Sequence, residues 1–205
     1  MKKTHKKLTY LLILVLALVV LIQAQIPAVR PSSMVQKQAF IADAVNQTNL
    51  TDKYDPTYVK LKYPGGDVPL DRGACSDVII RALRKTGVDL QKEIHEDMSA
   101  HFKEYPQKWG MKQTDSNIDH RRVLNLMKYF QRQGKQLPLT RNYTNYQPGD
   151  IVAWDLGNGT THIGIVTSEK NMWSRRNKVV HNIGYGTKLE DVLFDWKIIG
   201  HYRYF

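Results

Sequence analysis

Residues 150–167 read DIVAWDLGNGTTHIGIVT, two runs of alternating side chains on either side of Asn158-Gly159, the dipeptide most suited to a tight hairpin. Two antiparallel strands are therefore expected here, and KVVHNIG (178–184) and WKIIGHYRYF (196–205) repeat the period of two. Upstream the period lengthens. Val123, Leu124, Met127 and Phe130 recur at helical spacing in a helix expected over 118–133 with Gly134 behind it, and a second helical stretch covers 90–102. From Cys75 onward Val78, Ile79, Ala82 and Leu83 mark a further helix, with Gly87 as its stop. Helices first and an antiparallel sheet after them give the α+β class.

The segment before Cys75, YPGGDVPLDRG (63–73), is dense in glycine and proline and reads as a shaped loop. Further back, residues 34–47 form an expected amphipathic helix capped by Ser32 or Ser33, with Met34, Val35, Ala39, Ala42 and Val45 near one face. IPAVRPSS closes a linker over 25–33. The first 24 residues differ in kind: MKKTHKK carries four lysines and is followed by an apolar run over 8–22. That is a signal peptide or an N-terminal membrane anchor, and its 15 residues fall short of the roughly 20 that a spanning helix needs. Either form delivers the remainder, a single domain over 34–205, to the cell envelope or beyond. Without Lys2, Lys3, Lys6 and Lys7 the chain keeps 26 basic against 19 acidic side chains, a net +7. A moderately cationic exported protein suits an anionic cell wall or lipid surface. Nucleic acid is not an expected partner, because no basic run interleaves with aromatics and no zinc-finger spacing occurs.

Cys75 is the one cysteine of the 205 residues, so no internal disulfide forms, and an unused thiol in an oxidising compartment is a liability unless buried. Its position argues for use. It opens a helix, where unpaired N–H groups favour a thiolate. A thiolate nucleophile needs a base and a group that fixes the base. His162 alternates with Gly164 and Val166 on one strand face while Ile163 and Ile165 take the other, and the glycine is expected to leave open space beside the imidazole. The next strand brings His181 and Asn182 on opposite faces, and parity alone leaves both open as the partner of His162.

A cysteine opening a helix after a Tyr-x-Gly-Gly loop, then PGDIV, then HIGIV, then a strand ending in histidine resembles the NlpC-type papain-like cysteine peptidases and amidases, which cleave peptides of bacterial cell walls. The likeness runs through Tyr63, Gly65, Gly66, Cys75, Ser76, Pro148, Gly149, Asp150, His162, Gly164 and His181. The wider pattern, YPGGDVPLDRGACSDVIIRA, HEDM, NIDHRR, YQPGDIVAW, HIGIV, VVHNIG and GHYRY, is similar to a bacterial family known as domain of unknown function number 1287. The resemblance implies Cys75 as nucleophile, His162 as base and later acid, and His181 as the orienting residue, with Asn182 its rival. It also implies that Tyr63 lies near the thiol and, with the backbone N–H of Cys75, holds the oxyanion. The nucleophile motif departs from the Asp-Cys-Ser-Gly of the broader superfamily: Ala74 precedes Cys75 and Asp77 replaces the glycine. A carboxylate pointing inward there opposes thiolate formation and bears on substrate preference.

KEIHEDMSAH contains His95, Glu96, Asp97 and His101, but histidines six apart point to different helix faces, so no metal is expected. His95 and Asp97 are candidate substrate contacts, as are Asp119, His120, Arg121 and Arg122 of SNIDHRR, where a guanidinium suits a peptide carboxylate. No metal or organic cofactor is implied. The expected activity is that of an exported thiol hydrolase cleaving an amide in peptidoglycan peptides. An acyltransferase using the same site, or a non-catalytic wall-binding module on the same fold, are the alternatives.

Overall fold

The computed structural model describes residues 32–205, so the expected signal or anchor and most of the linker lie outside the described residues. Asn158 and Gly159 take φ of 53° and 77°, the conformation a two-residue hairpin demands, and they join β3 (Asp150–Gly157) to β4 (Thr160–Lys170). β5 (Asn177–Asn182), β6 (Thr187–Glu190) and β7 (Lys197–Arg203) complete a five-stranded antiparallel sheet of order β6-β5-β4-β3-β7. Alternation divides its side chains between two layers. Ile151, Ala153, Ile163, Ile165, Val180 and Tyr202 pack with the helices, while Val152, Trp154, Val166 and Val179 pack with Tyr146, Val192 and Leu193.

The helices are α1 (Ser33–Asn46), α2 (Cys75–Arg84), α3 (Leu90–Ala100) and α4 (Val123–Arg132). α1 buries Phe40 and Ala44, not the face expected around Met34 and Ala39, because the Phe40 ring packs on Phe205 at 5.7 Å and sets the rotation. Gly87, at φ +88°, ends the α2 region as expected. The helix expected over 118–133 is broken: Asp119–Arg121 form a separate 3-10 turn, and Arg122 is extended (φ −92°, ψ 117°) before α4 begins. The cause is polar, since Asp119 accepts from the Asp115 N–H and Arg121 reaches back across the fold. α4 then buries Val123, Leu126, Tyr129 and Phe130.

Two further strands carry no alternation that a reader of sequence would catch. β1 (Lys53–Tyr54) and β2 (Arg72–Gly73) pair in parallel, and place Tyr54 beside Gly73, two residues before the cysteine. Among the described residues no helix is long and apolar enough to cross a membrane.

Candidate active site

Ala74 is extended (φ −90°, ψ 176°), and Cys75 is the first residue of α2. Asp77 makes that start. Its carboxylate accepts the Ala74 N–H at 2.7 Å, a helix-capping contact, and takes Nε and Nη2 of Arg121 at 2.9 Å each. Arg121 also donates to the carbonyls of Thr57 (2.8 Å) and Asp55 (3.1 Å). Both side chains are buried, so Asp77 and Arg121 bind each other inside the fold, away from any substrate surface.

The thiol is 5% exposed. Burial pushes it up to about 12, against hydrogen bonds from the backbone of Ile163, Ser76 and Cys75 itself, and with the charge of Asp77 adding to the rise. At rest it is therefore a neutral thiol. It meets β4 at the peptide that joins His162 to Ile163. From that peptide Ile163 turns toward the helical layer that holds Cys75, and the His162 ring turns toward Trp154.

The β4–β5 register pairs Ile165 with Val180 and Val166 with Val179, which sets His181 on the His162 face. His162 Nε2 and His181 Nδ1 are 2.8 Å apart, and His181 Nε2 lies 3.0 Å from Glu190 Oε2. Trp154 stacks on the His162 ring at 5.6 Å, and Trp196 stands edge-on to both imidazoles at 5.7 and 6.1 Å. Burial holds His162 down to about 3, with the His181 charge adding to it, and lowers His181 against the pull of Glu190. Both rings are neutral. Among the described residues Nδ1 of His162 makes no hydrogen bond, and the ring lies on the Trp154 side of the sheet while Cys75 packs on the helical side.

The open space expected beside Gly164 is not there. A Cβ at that position would stand 2.7 Å from Val179 Cγ1, 2.9 Å from the Val180 carbonyl and 3.2 Å from His181 Cβ; β5 fills it, and the glycine is what lets β5 approach. Asn182, on the opposite face, donates to the carbonyls of Gly73 (2.9 Å) and Lys53 (3.3 Å). It braces the loop before Cys75 and does not touch His162, so His181 is the residue bonded to the candidate base.

Tyr63 lies with its ring against His95 at 5.1 Å, whereas Tyr54 is the tyrosine near the thiol: after burial, an ionised Cys75 is the next cause of its raised hydroxyl pKa. Asp97 is tied to Arg132 (2.7 Å) and to the Tyr105 hydroxyl (2.5 Å). Asp119 is buried, its carboxyl pushed up to about 6 by desolvation, with Arg122 at 3.5 Å. His120 is buried with an unpartnered Nδ1 and held down to about 4 by desolvation. Only His95 and Arg122 of these candidates share open space, a cleft of about 430 Å³ with Tyr58, Met111 and Asp115, where Arg122 lies 4.4 Å over the Trp109 ring. A wider cavity of about 770 Å³ adjoins Trp196, between Phe194, Lys197 and Arg141. Sequence reasoning missed Tyr54, Glu190 and Trp196. The Trp-x-x-x-Gly-His spacing of 196–201 offered no signal for the last, and Glu190 sits in a strand too short to show a period.

The family profile described as "Domain of unknown function (DUF1287)" matches residues 41–204. An uncharacterized protein of Escherichia coli strain K12, YijF, is 56% identical over 184 residues, covering 87% of this chain and 89% of its own length. Among solved structures, a Staphylococcus aureus (subsp. aureus Mu50) protein described as similar to lipoprotein, of the NLP/P60 family, aligns with a TM-score of 0.41 and 16% identity. That alignment covers 87% of this chain, which spans only 44% of the other.

Proposed function

This chain belongs to the DUF1287 family, and from the site it carries we propose that it is an exported thiol hydrolase cutting an amide bond in cell-wall peptides, with Cys75 as nucleophile, His162 as base and His181 as its orienting partner. The observation that carries the reading is the 2.8 Å His162–His181 bond on the strand whose Ile163 peptide hydrogen-bonds the thiol at the start of α2. Two neutral groups in a dry site call for general-base catalysis, not a standing ion pair. As Sγ attacks the carbonyl carbon, its proton passes to His162 Nδ1. The oxyanion is held by backbone N–H groups at the start of α2. His162 then returns the proton to the departing amine as the C–N bond breaks, and a water deprotonated by His162 hydrolyses the thioester. Trp154 and Trp196 keep bulk water from the imidazoles, which strengthens each hydrogen bond they make.

Incubation with purified peptidoglycan, followed by mass spectrometry of the soluble products, tests this. New free amino termini are expected from the wild type and none from Cys75→Ala or His162→Ala; equal products from all three defeat the reading. Export is tested by fractionating cells that make the full chain, and recovery in the cytoplasm alone defeats that part. The deep burial of Cys75 favours one other reading, a wall-binding module with a silent thiol. It is upheld if the chain releases no peptide yet sediments with peptidoglycan equally well as wild type and as Cys75→Ala.

A further inference from the structure

Resting on the hydrolase reading, we propose that Glu190 is the positioning residue that sets the proton on each imidazole, so that His162 keeps its lone pair on Nδ1. The argument runs inward from the surface. A carboxylate at neutral pH accepts hydrogen bonds and donates none. The Glu190 side chain is 49% exposed and its Oε2 lies 3.0 Å from His181 Nε2, so that nitrogen carries the hydrogen. A neutral imidazole has only one N–H, so His181 Nδ1 is an acceptor, and the hydrogen in the 2.8 Å bond belongs to His162 Nε2. His162, also neutral, then has its lone pair on Nδ1. One acceptor at the edge of the sheet thus fixes two tautomers in series.

The sheet register makes the contact. β6 pairs with β5 so that Lys188 faces His181 and Glu190 faces Val179; Glu190 reaches His181 along the diagonal, on the same face. Asp195 adds a smaller anionic influence on His181. Without Glu190, His181 is free to place its hydrogen on Nδ1 and donate to His162 Nε2. That puts the His162 hydrogen on Nδ1, where it blocks proton transfer from the thiol. When His162 takes the thiol proton, the Glu190 charge also offsets the new imidazolium through His181. The carboxylate itself gains no proton, and the one moved goes from sulfur to the leaving amine.

The test is imidazole two-bond ¹H–¹⁵N correlation at neutral pH on the full chain, in wild type, Glu190→Ala and Glu190→Gln. The wild type is expected to show Nε2–H and bare Nδ1 on both rings. Glu190→Gln keeps that pattern, because its amide oxygen still accepts, and Glu190→Ala yields mixed tautomers on both. A hydrogen on His162 Nδ1 in the wild type, or an unchanged pattern in Glu190→Ala, overturns the proposal whether or not any hydrolysis is found. In the peptide assay kcat is expected to fall about 10²-fold in Glu190→Ala with KM unchanged, and Glu190→Gln to lie between it and wild type. An unchanged kcat in Glu190→Ala also overturns it, whereas absence of activity in the wild type leaves the tautomer readout to decide and counts against the hydrolase reading alone.

Discussion

Asp77 and Arg121 illustrate what a single residue's neighbours decide. In sequence the carboxylate is an obstacle to a thiolate and the arginine a substrate grip; in the fold they form a buried pair that holds the start of α2 to the Asp55–Thr57 segment. Breaking such a pair by removing one partner leaves an uncompensated buried charge, which costs about 3–5 kcal/mol. Arg121→Met is expected to destabilise by that amount in denaturant unfolding, and a change under 1 kcal/mol would show that the pair is not a strut. The alternation His162/Gly164/Val166 was legible because it needs only the strand period. The choice between His181 and Asn182 was not, since it depends on the register between two strands, and Glu190 depends on a third.

The β4–β5 contact is where an element, more than any residue, makes the site. Gly164 admits β5 to contact distance, and any Cβ there meets backbone as well as side chain. Gly164→Ala is expected to cost about 1–3 kcal/mol by overpacking, to lengthen the His162–His181 bond, and to lower hydrolysis more than stability alone explains. Wild-type unfolding and an intact imidazole proton in that bond by NMR would contradict this. The hairpin at Asn158-Gly159, the stop at Gly87 and the four sheet strands from period two were readable because local turn chemistry and alternation specify them. The break before α4 was not, because tertiary hydrogen bonds from Asp119 and Arg121 override a continuous helical pattern. Nor were β1 and β2, two residues each, which Asn182 bridges by donating to the carbonyls of Lys53 and Gly73.

At the scale of the molecule, buried neutral histidines give a defined acid response. His162 and His120 are held down to about 3 and about 4 from 6.5. Below pH 6.5 the unfolded chain takes protons that the folded chain refuses, so stability is lost as pH falls, levelling off for His120 near 4 and for His162 near 3. Asp119, raised from 3.8 to about 6, works the other way, its folded form taking a proton between 6 and 3.8. Three depressed histidines, His181 among them, outweigh the raised carboxyls of Asp119 and Asp43, so thermal unfolding is expected to shift to lower temperature from pH 7 to pH 4, less steeply in His120→Gln. A flat profile, or the same slope in the variant, would contradict the burial of these rings as neutral species.

The α+β order and the ordering of loop, cysteine helix and histidine strand were legible across the described residues, because each rests on local period or local composition. What lay beyond sequence was the third dimension of the site: the tryptophan cover, the histidine pair and the acid at the sheet edge. The claim that unites them is that Cys75 does chemistry on a cell-wall amide. The most direct measurement is mass spectrometry of peptidoglycan digested with wild type and with Cys75→Ala. New amino termini produced by the wild type and abolished in a folded Cys75→Ala are the predicted result; cleavage that survives the loss of the thiol would contradict the account.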